Sequence, residues 1–151
     1  MRAPSDLQPS EYRALAELRY QIRRFLAFSE AAALQVGLEP QQHQLLLILK
    51  ALSPQRPTVR DIAERLHIKQ NSAAELVRRS VERGIVDRQT GEHDRREVSL
   101  GITRRGAQLL RQLSISHRAE LRAAAPALRQ AIHQLLSGDS GRAAKGRPSR
   151  T

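Results

Sequence analysis

Hydrophobic residues recur along this chain with two periods, and the points where the period changes divide it into elements. From residue 11 to 36, Leu15, Leu18, Ile22, Phe25, Leu26, Ala32, Ala33 and Val36 return at steps of three and four, the spacing of one helix face. Gly37 ends that run. Pro40 opens a second helix at the first-turn position, where its missing N–H costs nothing. The stretch QQHQLLLILKAL is apolar on most sides, which predicts a helix central to the core. SPQRP at 53–57 is a turn. A short third helix, TVRDIAERLH, follows, with Thr58 as its cap and Asp61 at the third position, where a carboxylate favours a helix start. Its inward face is Ile62, Ala63 and Leu66, and His67 and Ile68 turn the chain. The fourth helix spans Gln70 to about Arg83 with Ala73, Leu76 and Val77 inward. Gly84 followed by apolar Ile85 predicts a Schellman ending.

The period then drops to two. Ile85 and Val86 precede a charged turn, after which Val98, Leu100 and Ile102 alternate with Ser99 and Gly101. Two half-buried strands joined by a long turn make a hairpin. Gly101 is expected to interrupt or bulge the second strand. Thr103 caps a long fifth helix, Pro126 is expected to end it, and ALRQAIHQLL forms a sixth with Leu128, Ile132, Leu135 and Leu136 on one stripe. Residues 1–10 read as a flexible segment, and 137–151, which hold no large apolar residue, as a disordered basic tail. No internal repeat is visible. The fold class is mainly α with a small β-hairpin.

Composition narrows the chemistry. The 151 residues suffice for one domain with a real core. There is no cysteine, hence no disulfide framework and no thiol nucleophile. The opening MRAPSDLQPS is polar with two prolines, unlike a signal peptide, and no run has the apolar length of a membrane span; a cytoplasmic protein is expected. The net charge of +11 points to polyanionic partners, nucleic acid first. That charge is dispersed: +2 over residues 1–57 and +3 in each of 58–106, 107–136 and 137–151. Of the 26 basic residues only three are Lys (50, 69 and 145), and because the Arg bias runs through every segment, genomic base composition explains it more simply than function does.

The order of elements carries more than the charge. Two short helices joined by a brief turn, the second with polar outward positions, then a charged hairpin, make a winged helix-turn-helix. The second of these helices fits a major groove, and its outward Gln70, Asn71, Ala74, Glu75 and Arg78 include residues that hydrogen-bond adenine and guanine edges. Gln70, Asn71 and Ser72 stand at the helix start, beside backbone amides suited to a phosphate. Arg95 or Arg96 at the hairpin tip suits a narrow minor groove. Thr58, Lys69 and Arg79 complete the candidate DNA-contacting set.

Residues 11–136 resemble the MarR family of bacterial transcription regulators. The motifs that carry the resemblance are TVRDIAERLHIKQNSAAELVRRSVERGIVDR, the DRR at 94–96 and ITRRG at 102–106, with Ile102 where the family has Leu. The resemblance implies that Arg96 enters the minor groove, that Asp94 braces it, and that Arg95 contacts phosphate. It implies a winged helix over 39–105 and dimerisation helices over 11–36 and 104–136. The implied assembly is a homodimeric repressor on a pseudo-palindromic operator in double-stranded DNA. It also implies a small, possibly aromatic or phenolic effector, with Tyr20, Phe25, Phe28, His43, Leu46 and Leu47 as candidate pocket residues; core filling is the competing role for all six. The chain departs from the family pattern at Lys69, where a Ser or Thr cap is usual, so that Asn71 or Ser72 is expected to cap in its place, and at Ser80, where the family buries a Leu. A buried hydroxyl there is expected to bond the carbonyl four residues back.

No Ser-His-Asp order, phosphate loop or carboxylate pair supports an enzyme, and no cofactor or metal site is expected. His117 and Glu120 share a helix face at i and i+3, which reads as a solvated pair. His93 at the tip carries a side chain of the type that serves as a switch near neutral pH and is a candidate for tuning DNA affinity. Two other readings stay open: a winged helix that pairs with protein, and a DNA-binding protein without an effector.

Overall fold

The computed structural model describes residues 6–91 and 98–137, so the tip residues Asp94, Arg95 and Arg96, His93, and nearly all of the basic tail lie outside the described residues. The element order is α1 (Pro9–Gln35), α2 (Pro40–Leu52), α3 (Val59–Leu66), α4 (Gln70–Glu82), β1 (Val86–Thr90), β2 (Val98–Ile102) and α5 (Arg104–Ser137). The chain forms two compact units, one of residues 29–117 and one of the segments before and after it.

In the 29–117 unit, Leu38, Leu45, Leu46, Ile62, Leu76, Val77, Ile85, Val86, Leu100 and Leu113 form the core, drawn from every element of the unit. The inward faces read from periodicity are the buried ones: Ala73, Leu76 and Val77 on α4, and Ile62 and Ala63 on α3. Two helices end as the glycines predict. At Gly84 (φ +70°), Ile85 N–H donates to Ser80 O at 3.1 Å and Gly84 N–H to Val81 O at 2.9 Å, the paired bonds of a Schellman motif. Gly37 (φ +77°) repeats the pattern after α1, with Leu38 N–H bonded to Ala33 O at 2.9 Å. Ser80 is fully buried and its hydroxyl donates to Leu76 O at 2.7 Å, satisfying the polar group without a partner outside its own helix.

The strands pair antiparallel in unbroken register from Val86↔Ile102 to Thr90↔Val98. Gly101 therefore sits opposite Asp87 without the expected bulge. Its missing side chain instead makes room for the guanidinium of Arg56. Thr103 caps α5: its Oγ1 accepts from Gly106 N–H at 3.1 Å and its hydroxyl donates to Gly84 O at 2.7 Å.

Three expectations are corrected at the helix ends. The first helix begins at Pro9, two residues inside the segment read as flexible. Proline suits a first helical position, and the Glu11 carboxylate accepts from Gln8 N–H at 2.6 Å, so the start is capped by its own sequence. Pro126 does not end the fifth helix, and no sixth helix forms: α5 runs through it to Ser137. Its neighbours are Ala123, Ala124, Ala125 and Ala127, the strongest helix formers, whose propensity recovers part of the roughly 3 kcal/mol that an interior proline costs. The fourth helix starts at Gln70 with Lys69 as an extended N-cap that makes no side-chain bond, so neither Asn71 nor Ser72 displaces the start.

Candidate nucleic-acid interface

The helix-turn-helix is built from local bonds. Thr58 and Asp61 form a capping box: Asp61 N–H donates to Thr58 Oγ1 at 3.3 Å, and Thr58 N–H donates to Asp61 Oδ2 at 2.8 Å. These bonds hold the Asp61 carboxyl below the usual aspartate range, the Thr58 backbone bond contributing most. A depressed folded value stabilises the fold at pH above the ordinary aspartate range and withdraws that stabilisation as pH falls through the folded value. Asp61→Asn should therefore flatten the acid limb of a plot of Tm against pH below about pH 4; a variant with the parent's acid limb would contradict the capping role.

His67 closes α3 in the left-handed region (φ 53°), with Ile68 N–H bonded to Ala63 O at 3.1 Å. This residue turns the chain from α3 into α4. A non-glycine residue there is uncommon, and sequence periodicity gives no sign of it.

On α4 the burial alternates around the helix. Gln70, Asn71, Ser72, Ala74, Glu75 and Arg78 are exposed while Ala73, Leu76, Val77 and Ser80 are buried. Gln70, Asn71 and Ser72 occupy the first three helical positions. Arg78 is held along the helix: Nε donates to Glu75 Oε2 at 2.8 Å, Nη2 donates to Glu75 Oε1 at 2.5 Å, and Nη1 pairs with Glu82. The pairing raises the Arg78 pKa and holds Glu75 below its usual range, the hydrogen bond between them being the largest cause for each. These pairs are half exposed and so add little to stability; they lay the guanidinium along the outer face. Arg79, of the same set, pairs with Glu75 at 3.6 Å and also reaches off the helix. Its Nη2 donates to Glu39 Oε2 at 2.9 Å, just before α2. One turn further, Arg83 donates to Gln42 Oε1 at 3.0 Å and also bonds Gly37 O. Arg79 and Arg83 thereby tie the end of α4 to the α1–α2 junction, a contact that links residues about forty apart in sequence.

Sequence reasoning missed Arg56 and Asp87. Arg56 lies in the turn before α3, pairs with Asp87 on β1 and donates from Nε to Ser99 Oγ on β2 at 3.2 Å. Nothing in SPQRP marks it, because its partners are 31 and 43 residues away.

The six candidate pocket residues divide between the units. Tyr20, Phe25 and Phe28 lie on α1 in the other unit, with the Arg24 guanidinium 5.9 Å from the Tyr20 ring centroid. His43, Leu46 and Leu47 lie on α2 in the 29–117 unit, where Leu46 is fully buried in the core and Leu47 is exposed. His43 is buried and its ring centroid is 4.6 Å from that of His117. Burial, then the neighbouring His117, lowers the His43 pKa and favours its neutral form. His117 is not the solvated partner of Glu120 expected from spacing: it is buried, with Nδ1 2.6 Å from Leu113 O and Nε2 2.8 Å from Ser29 Oγ. Since a carbonyl only accepts, Nδ1 carries a proton and donates to Leu113 O.

No helix among the described residues is long and apolar enough to cross a membrane. A sequence model described as the MarR family matches residues 36–97. No curated protein sequence matches the chain. Among solved structures, RV1404 from Mycobacterium tuberculosis is 22% identical with a TM-score of 0.67, covering 97% of this chain and 100% of that one. AbsC, a MarR family transcriptional regulator from Streptomyces coelicolor, is 20% identical with a TM-score of 0.67, covering 95% and 98%. The MepR–DNA complex of S. aureus is 16% identical with a TM-score of 0.67, covering 91% and 97%. At these identities the structural likeness concerns the fold, and the sequence match falls within the same region, over residues 36–97. The capped α3, the His67 turn, the polar outer face of α4 and the paired strands thus form a winged helix-turn-helix whose residues 36–97 match the MarR family model, in a chain that shares the fold of MarR family transcription regulators.

Proposed function

We propose that the chain acts as a homodimeric repressor that lays α4 into the major groove of each half of a pseudo-palindromic operator and is displaced by a small aromatic or phenolic ligand. The observation that carries the DNA reading is the two-sided burial of α4, whose inner face is fixed in the core while Gln70, Asn71, Ser72, Glu75 and Arg78 stand outward. Gln and Asn match the paired donor and acceptor of adenine, and Arg matches guanine or a phosphate. MepR, a protein of similar fold, has been solved in complex with DNA, which supports the same class of partner here. Thr58 and Lys69, at the starts of α3 and α4, are positioned by helix ends that favour phosphates. Asp94, Arg95 and Arg96 keep the roles that the family resemblance implies: brace, phosphate contact and minor-groove residue. The ligand residues Tyr20, Phe25, Phe28, His43, Leu46 and Leu47 remain candidates, with Leu46 also a core residue.

The test starts from a duplex enriched out of a random library by the purified protein and uses fluorescence anisotropy. Arg96→Ala should weaken binding to that duplex by about tenfold. Asn71→Ala should weaken it selectively and shift the enriched sequence, whereas Arg95→Ala should lower the slope of log affinity against log salt by about one. An Asn71→Ala variant that loses affinity equally on every sequence would remove α4 from base reading. Aromatic carboxylates titrated into the complex test release; a complex unmoved by any of them favours a regulator without an effector.

A further inference from the structure

Two consecutive residues of the turn between α2 and α3 fasten the hairpin. Pro57 O accepts the backbone N–H of Leu100 at 2.9 Å, so β2 is bonded to the turn as well as to β1. Arg56 holds both strands at once, pairing with Asp87 on β1 and donating to Ser99 on β2. Its guanidinium lies over Gly101, the register partner of Asp87, where an added Cβ would come within 2.9 Å of Arg56 Cζ. The next residue, Thr58, caps the first helix of the helix-turn-helix. One short turn thus joins the base of the hairpin to the start of the DNA-binding helices.

The stability this adds is small, since the Arg56 and Asp87 side chains are 28% and 44% exposed. The geometric effect is larger. A two-stranded sheet is marginal by itself and twists freely. A planar guanidinium bonded to one acceptor on each strand fixes the sheet's orientation in a way that a single contact does not.

We propose that Arg56 is a positioning residue for DNA binding: through Asp87, Ser99 and the gap left at Gly101 it sets the direction in which the hairpin leaves the helix-turn-helix. This rests on the reading that the hairpin contacts DNA. Asp87→Ala removes the ion pair, and Gly101→Ala drives the guanidinium off the strand without altering any charge.

With full-length protein and the enriched duplex, Arg56→Ala, Asp87→Ala and Gly101→Ala should each weaken binding about fivefold while keeping a cooperative thermal transition. The Arg56→Ala/Gly101→Ala double variant should bind no worse than Arg56→Ala, because both remove the same contact. Parent-like binding by Arg56→Ala overturns the proposal. So does tighter binding by Asp87→Ala, which would mean that the released guanidinium itself meets a phosphate. Where Arg96→Ala weakens binding, adding Arg56→Ala should cost less than Arg56→Ala costs in the parent, since one of the two tip arginines that it positions is already gone; a fully additive loss marks mere destabilisation and overturns the positioning role. Arg96→Ala alone reports on the tip. If it binds like the parent while the other three weaken binding, the tip assignment falls and Arg56 still positions the hairpin.

Discussion

Gly106→Ala should lower the Tm of the protein by about 5–10 °C, a loss of about 2 kcal/mol from overpacking against an immovable neighbour. Gly106 is the third residue of α5, and a Cβ there would meet the carbonyl oxygen of Ile85 well inside contact distance, with Ile102 Cγ1 at 3.1 Å. That carbonyl cannot step aside. It accepts Thr103 N–H at 3.2 Å, and the Ile85 N–H is the long bond of the Schellman ending of α4. Relief must come from moving the α5 start or the α4–β1 junction, both of which rest on buried side chains. Gly101→Ala is the informative contrast, because its Cβ meets only the flexible end of Arg56 and should leave the Tm nearly unchanged. Calorimetry on the pair decides the matter: equal transitions for Gly106→Ala and the parent would show that the close approach carries no energetic weight.

The same glycine shows where sequence reading works. Its presence in ITRRG is legible as a motif, whereas the reason for it, a carbonyl 21 residues earlier, is not. Local signals were read well. Thr58 with Asp61, Gly84 with Ile85, and the inward triplet Ala73, Leu76 and Val77 are each decided within one or two turns of chain, and each is found as expected. What local signals leave out is of two kinds. Residues 1–10 read as flexible and Pro126 reads as a break, yet Pro9 suits a helix start and α5 continues through Pro126. The contacts of Arg79, His117 and Arg56 run to partners 40, 88 and 31 residues away, which no local pattern of residues reveals. The candidate site was therefore legible as a face of α4 and illegible in the contacts that hold the hairpin and the end of α4 in place.

The larger expected effect on function comes from the apolar side chains that the single chain leaves in water. On α1, Leu15, Ile22 and Leu26 follow one another at seven and four residues, one stripe of a helix, and on α5 Leu121, Ile132 and Leu136 form a second; each of the six is 38–73% exposed. A lone soluble chain rarely keeps such stripes uncovered. Burying six half-exposed side chains on each of two copies is worth on the order of 10 kcal/mol before the cost of association, enough to hold a symmetric pair together. The double variant Ile22→Asp/Leu26→Asp places two carboxylates on the first stripe and should sediment as a single chain. Its 29–117 unit, which contains neither residue, should keep the helical circular dichroism and the cooperative melt. Operator affinity should fall about a hundredfold or more, because one α4 then meets one half-site and the second contact is no longer intramolecular. The two measurements separate the steps of the argument. A parent protein that sediments as one chain removes the dimer at the outset, whereas a monomeric variant that grips the full operator as tightly as the parent leaves the dimer standing and removes the claim that both copies must read DNA together.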